Sequence, residues 1–369
     1  MKFSVSRDTL LKSLNLVAGV VERRQTLPVL ANVLMVLEDD RLSLTGTDLE
    51  VELVGRVQLA SPGESGEVTV PARKLTDICK SLPEGSDIHF SLADGKATVK
   101  SGRSRFTLST LPAREFPNVE DGIGTHRFSL KQGQLKRLID RTAFAMAQQD
   151  VRYYLNGMLW ELQGQLLRVV ATDGHRLAMC TLREPMQVKG DGDTQVILPR
   201  KGVLELVRLL MDEDEDISIV LGNNHIRAMT QDFTFTSKLV DGKFPDYQRV
   251  LPRSPDKIVL GSRLELRQAF ARTAILSNEK YRGVRLKLSD NSLDILANNP
   301  EQEEAEETVS VQFSGESLEI GFNVSYLLDV LGVLSGDSVK LSLADPNSSA
   351  LLEESEDDDS LYVVMPMRL

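Results

Sequence analysis

Cysteine is nearly missing from this 369-residue chain: only Cys79 and Cys180 are present. Two thiols cannot make a disulfide scaffold or a cysteine-based zinc site, and they fit a reducing cytosol. Long apolar runs are missing too. The longest stretch without a charge, Gln25 to Leu37, is 13 residues long and carries Pro28, short of the ~20 needed to span a bilayer. Arg7, Asp8 and Lys12 break what would have to be an apolar signal segment, so a cytoplasmic protein with no membrane partner is expected. No Gly-rich phosphate loop of either common pattern occurs. The four histidines, His89, His126, His175 and His225, lie far apart. Asp173 and His175 could begin a metal site, but no second His or Cys stands at ligand spacing. Asp173-Gly174 reads better as a turn corner, and Cys79 as core. These residues call for no catalysis and no cofactor.

What is present is globular: 41% hydrophobic and 26% charged residues, in a length typical of two or three domains. A self-similar pattern recurs at a period of about 125 residues. The units open with "MKFSVSRDTLLKSLNLVAGVV", "HRFSLKQGQLKRLIDRTAFAM" and "DKIVLGSRLELRQAFARTAIL". Each reads as a short strand, a polar residue (Ser6, Ser129, Ser262) and a helix. Matching strand pairs follow, and Thr47-Asp48 recurs as Thr172-Asp173. A second helix opens after "VTVPARKL", "VILPRKGV" and "EIGFNVSY", with Pro71 and Pro199 where a first turn tolerates proline. Phe116-Pro117 and Phe244-Pro245 close two units; "YVVMPMRL" ends the third. The spacing predicts three domains at 1–124, 125–253 and 254–369, with helices over 7–24, 71–82, 131–143, 199–210, 262–274 and 323–334. Two amphipathic helices against period-2 strands make each an α+β layer.

The net charge is −11, which alone argues against a nucleic-acid partner. Its distribution argues the other way. The three repeats carry −2, +2 and −11, and the third owes its acidity to "EQEEAEE" (301–307) and "EESEDDD" (353–359). The six helical segments hold 17 basic residues against 7 acidic ones. Basic stripes opposite sheet-packing faces suit a phosphate backbone. For any one helix taken alone, an ordinary solvated face is the better reading; it is the shared sign of five of the six that points to a partner. An acidic interaction scaffold that never touches DNA is the alternative, but it gives no reason to collect positive charge on helices.

The motifs "LSLTGTDLE", "SGRSRF", "QDVRYYLNGM", "VATDGHRLA", "TSKLVDGKFPDY", "NNPEQEEAEE" and "YVVMPMRL" stand in this order. Together they resemble the bacterial DNA polymerase III β subunits, the sliding clamps, over the whole length. The resemblance implies three DNA-clamp domains, each with two helices packed on antiparallel sheet, forming a head-to-tail homodimeric ring. It implies a processivity factor, not an enzyme, whose partners are duplex DNA without sequence specificity, the replicative polymerase's catalytic subunit, an ATP-driven clamp loader, and other polymerases and repair proteins that bring short hydrophobic peptides. The DNA contacts it implies are Arg24, Arg73, Gln149, Tyr153 and Tyr154; packing at a helix-to-strand junction is the other reading of the two tyrosines. The peptide pocket it implies comprises Leu155, Thr172, Gly174, His175, Arg176, Leu177, Pro245, Arg249, Val250, Ser349, Val363, Val364, Met365, Pro366, Met367, Arg368 and Leu369. Asn347, beside it, stands where an apolar residue is common. The dimer contacts it implies are Lys74, Arg103, Arg105, Phe106 and Leu108 against Ile275, Leu276, Glu301, Glu303 and Glu304. A basic "SGRSR" facing an acidic "EQEEAEE" is electrostatically complementary; a solvated loop is the usual fate of such a run. The "EESEDDD" run reads as an exposed hairpin loop.

Overall fold

The computed structural model describes residues 1–21, 27–117, 124–253, 255–354 and 359–368. Arg24 and Leu369, and four residues of the "EESEDDD" run, lie outside them. Six α-helices are described: α1 (Arg7–Val17), α2 (Ala72–Ser81), α3 (Gln132–Asp140), α4 (Arg200–Leu209), α5 (Arg263–Thr273) and α6 (Val324–Val333). None is long and apolar enough to cross a membrane. Ser6 and Ser262 cap α1 and α5, their hydroxyls accepting the N–H of Thr9 and Glu265, which satisfies an otherwise orphaned donor of the first turn. The middle repeat departs from this expectation. Ser129 sits inside the strand Gly124–Lys131, and the helix begins only at Gln132. The first helix is also shorter than its pattern: after Val17 the chain tightens into a 3₁₀ turn, Ala18–Val20. Pro71 and Pro199 end strands and immediately precede α2 and α4.

The chain divides into two compact units. The first comprises Met1–Gly133, Gln187–Asp191 and Leu204–Leu239; the second comprises Gln134–Met186, Gly192–Val203 and Val240–Leu369. Each holds one eight-stranded and one four-stranded antiparallel sheet. The reason is edge pairing. In the first unit Val51–Gln58 of the first repeat pairs with Phe233–Lys238 of the second, Leu53 facing Phe235. In the second unit Arg176–Leu182 pairs with Ser360–Val364, Ala178 facing Tyr362. Two four-stranded sheets are thereby fused through edges that would otherwise expose unpaired N–H and C=O groups. Phe235 and Tyr362 are completely buried at the seams.

The helices lay their apolar faces on these sheets. In the first unit Leu10, Leu14 and Val17 of α1 and Leu75 and Cys79 of α2 are buried, and Phe3 stacks on Phe90 at 4.9 Å. In the second unit Leu266 and Phe270 of α5 meet Leu327 and Leu331 of α6 in the core. Several helical arginines are part of this framework. Arg7 Nε donates to Cys79 O at 2.8 Å and Arg263 Nη1 to Leu331 O at 3.2 Å, so each binds the carbonyl end of its repeat's second helix. Arg208 does the same for α1, reaching Asn15 O and Leu16 O. Arg141 is buried against Glu354, Ser335 and Ser360. The helical excess of positive charge is therefore partly structural. Arg73, Lys74 and Lys80 of α2 and Arg267 of α5 point to solvent.

Candidate functional site

A pocket of about 400 Å³ opens in the second unit. Its floor is an apolar cluster of Leu159, Val170, Leu177, Ile197, Phe244, Tyr247 and Val363. One wall is the hairpin corner after strand Leu166–Thr172. There Asp173 Oδ1 accepts the N–H of His175 and Arg176 at 2.9 and 3.1 Å, Thr172 Oγ1 donates to Arg176 O at 2.6 Å, and Gly174 adopts φ +88°. The first repeat builds the same corner from Thr47 and Asp48, with Leu49 taking the left-handed position at φ +77°, a conformation that glycine adopts without strain. The second wall is the segment after Phe244. Tyr247 there donates its hydroxyl proton to Glu161 Oε2 at 2.7 Å and accepts from Arg168 at 3.1 Å. Burial pushes the Tyr247 phenol upward and Glu161 adds to it, so it stays a neutral donor. This hidden triad fixes the wall while its ring faces the cavity.

Of the expected pocket residues, Leu155, Thr172, Gly174, Arg176, Leu177, Pro245, Arg249, Val250, Ser349, Val363 and Met365 line this cavity. His175 is exposed outside the lining; its carbonyl accepts the Met365 N–H at 2.9 Å. Val364 is buried within its strand, and Pro366, Met367 and Arg368 are not in the lining; the Met367 N–H donates to Gly321 O at 2.9 Å. Asn347 occupies an exposed turn held by Asp345 and is not in the lining. The residue reading missed Arg152, Asp246 and Tyr247, which line the pocket. The signal was in "QDVRYY" and "FPDY", where charged and aromatic residues flank the chosen positions.

A loop, residues 146–156, borders the pocket. Arg152 grips Asp150 with two parallel bonds, and Asn156 both donates to Asp150 O and accepts its N–H. The Arg152 guanidinium holds the Asp150 carboxyl well below its usual range, at about 2. So braced, the loop presents Gln149, at φ +56°, and Val151 and Tyr153 to solvent; Val151 is 94% exposed. Tyr154 turns the opposite way, into the pocket, its ring 5.8 Å from that of Tyr153. An exposed rigid aromatic beside a polar side chain can stack on a nucleobase.

The remaining expected residues fall on two sheet edges. In the first unit Arg103 and Arg105 are exposed, Phe106 is half-buried and Leu108 is buried, on or beside the outermost strand Ser104–Ser109; Lys74 is exposed on α2. In the second unit Glu301, Glu303 and Glu304 are exposed at or before the outermost strand Glu304–Ser310, and Ile275 is 75% exposed beside half-buried Leu276. Among the described residues, no cluster of three or more His, Cys, Asp or Glu side chains is placed to hold a metal ion.

Three family models match the chain consecutively: the N-terminal domain of the DNA polymerase III beta subunit over residues 1–120, its central domain over 129–246, and its C-terminal domain over 248–368. The beta sliding clamp of Pseudomonas aeruginosa is 67% identical over 369 residues, and that of Escherichia coli K12 is 56% identical, each match covering both chains completely. A crystal structure of the DNA polymerase III subunit beta from Pseudomonas aeruginosa superposes with a TM-score of 0.97 at 66% identity, again over both whole chains. A Pseudomonas aeruginosa sliding clamp bound to griselimycin matches with the same TM-score, 67% identity and full coverage of both chains.

Proposed function

The chain belongs to the DNA polymerase III beta subunit family, the sliding clamps, and on that premise we propose that it encircles duplex DNA as a head-to-tail homodimer and tethers the replicative polymerase through the pocket. The observation that carries this reading is a pair of unused sheet edges. Each eight-stranded sheet joins one type of edge strand, Val51–Gln58 or Arg176–Leu182, to a second type, Phe233–Lys238 or Ser360–Val364. One strand of each type is left over. Glu304–Ser310 is the third of the first type, and Ser104–Ser109 the third of the second. Pairing them between two copies closes a ring in which no edge of these types remains open.

The internal registers supply the intermolecular one. Ala305 pairs with Ala297 as Leu53 does with Gly46 and Ala178 with Ala171. Phe106 pairs with Val99 as Phe235 does with Ala228 and Tyr362 with Leu352. By the seam register Phe106 then faces Ala305 of the partner subunit, Arg105 faces Glu306 of the partner subunit, and Thr107 faces Glu304 of the partner subunit. Exposed Ile275 would complete the apolar centre, which rim charges orient more than they strengthen.

A closed ring cannot leave duplex DNA sideways, so modest phosphate contacts from residues such as Arg73 suffice and carry no sequence preference. The Gln149–Tyr153 loop is suited to unpaired bases at the primer end. A polymerase held by a short hydrophobic peptide rebinds that end at high effective concentration, which is processivity. Ring opening is assigned to an ATP-driven loader, and other polymerases and repair proteins would share the pocket. Griselimycin, bound by the Pseudomonas aeruginosa relative, is proposed to occupy the pocket here too. The deciding experiment loads the protein onto nicked circular DNA and then linearises half of the sample. Retention on the circles and loss from the linear ends is expected; equal loss from both would sink the topological model.

A further inference from the structure

Three arginines line the pocket, and each already has a carboxylate from its own chain. Arg152 holds Asp150 through bonds of 3.0 and 2.8 Å. Arg176 Nε donates to Asp173 at 3.0 Å, one terminal nitrogen reaches Asp329 of α6, and the other donates to Phe144 O at 2.9 Å. The rings of Tyr326 and Phe144 cover the same guanidinium, 4.5 and 5.2 Å from its carbon. Arg249 Nε donates to Asp246 at 2.8 Å. Three cations therefore meet four anions around one apolar cavity.

Stability does not account for the two outer pairs. The Arg152 and Arg249 side chains are 47% and 80% exposed, and ion pairs at such positions contribute little to folding. Recognition accounts for them. An unpaired arginine at a binding site offers a carboxylate two parallel charge-assisted bonds. Here each guanidinium already has an aspartate on its Nε edge before any ligand arrives. A peptide carboxylate that approaches an arginine therefore meets a charge that is already largely neutralised, and gains less than it would from a bare one. The aspartate also repels it. What the pocket can still reward is the fit of neutral apolar side chains to its floor. The guanidinium planes remain useful as flat walls, since their stems and faces cover apolar surface even while their Nε–H groups are occupied.

We propose that Asp150, Asp173, Asp246 and Asp329 are specificity-determining residues of the pocket: by pairing its three arginines in advance they make it read apolar shape and not peptide charge. The proposal rests on the pocket being the peptide site. Asp329 is the sharpest handle, because its side-chain bond goes to Arg176 and it is absent from the lining. Asp173 is unsuitable, because it also builds the hairpin corner.

The test uses the full-length protein and two fluorescein-labelled hexapeptides rich in leucine and phenylalanine, identical except for one Gln in the first and Glu in the second. The ratio of acidic to neutral affinity is measured by anisotropy for the native chain, Asp329→Asn, Asp246→Asn and Asp329→Glu. Removing one nearby charge is expected to raise that ratio about three- to ten-fold in each Asn variant, and the gain should shrink between about 0.05 M and about 0.5 M salt. Asp329→Glu should keep the native ratio. A ratio unchanged in both Asn variants overturns the proposal, as does a gain that salt does not diminish. If one Asn variant fails to fold, the other carries the test. Failure of the neutral peptide to bind the native chain would instead overturn the assignment of the pocket itself.

Discussion

Replacing Arg105 by glutamate probes the ring closure directly. In the proposed register Arg105 faces Glu306 of the partner subunit, with Glu304 and Glu307 of that strand close by. A directly opposed cross-strand charge pair is worth about 0.2–1 kcal/mol, and like charges in its place cost a similar amount. Reversal therefore removes about 0.4–2 kcal/mol at one interface. A head-to-tail dimer has two identical interfaces, so the ring loses about 0.8–4 kcal/mol, which is about a 4- to 1,000-fold rise in its dissociation constant. Sedimentation equilibrium over a dilution series reads this number, and the loss should be smaller in high salt. The second variant is decisive. Adding Glu306→Arg to the same chain restores opposite signs across both interfaces and should recover most of the affinity. If the double variant dimerises no better than Arg105→Glu alone, the two side chains do not face each other and the register carried over from the internal seams is wrong.

Three further outcomes follow from the packing. Phe235→Ala removes a completely buried ring from the seam of the first unit and should cost about 3–5 kcal/mol, seen as a lower denaturant midpoint; a loss below about 1 kcal/mol would mean the seam is not a packed joint. Burial pushes the Cys79 thiol up to about 11 and the Cys180 thiol in the same direction, so neither should react with a disulfide reagent at about pH 8 until the chain opens. Rapid stoichiometric labelling of the native protein contradicts that. The Asp150 carboxyl is held at about 2 against an ordinary value of 3.8. A depressed carboxylate keeps its pairing above the ordinary value and loses it as pH falls through the lowered one. Its carboxyl NMR signal should thus titrate near the lower value; a midpoint near 3.8 would show that Arg152 does not hold it.

The repeat was legible because hydrophobic period and turn chemistry are local. Phe3, Phe128 and Val259 hold equivalent places in the first strand of each repeat, and the Thr-Asp corner survives between the first two. Two kinds of information were not local. The boundary between strand and helix in the middle repeat shifted because Ser129 resembles a cap in sequence, while strand pairing with Ser218 claims it for the sheet. The charge partition likewise counted arginines without seeing their acceptors. Arg7, Arg208 and Arg263 are committed to helix carbonyls and Arg141 to a buried carboxylate, none of which spacing reveals. For the same reason Arg176 was recognisable as a pocket residue, but its neutralisation by Asp329, 153 positions away, was not.

With the proposed pairing of the two remaining edges, one repeated unit makes both permanent and reversible joints. At the two junctions within the chain the opposed residues are Leu53 with Phe235 and Ala178 with Tyr362, and the aromatic member of each is fully buried. The corresponding aromatic at the third, proposed junction is Phe106, but its neighbours are Arg105 and Thr107. Its proposed partner strand reads Glu304-Ala305-Glu306-Glu307. Apolar burial dominates the first two joints, and it does not depend on salt. The proposed third has a smaller apolar centre rimmed by charge, so it would weaken as ions are added. The covalent chain also ties the first two joints, so their parting is local unfolding, whereas the third can part with both subunits folded. A loader acting on such a ring would therefore meet least resistance at the charged edge. Five of the acidic residues that first argued against a nucleic-acid partner lie in the 301–307 run, at or beside the edge proposed to open.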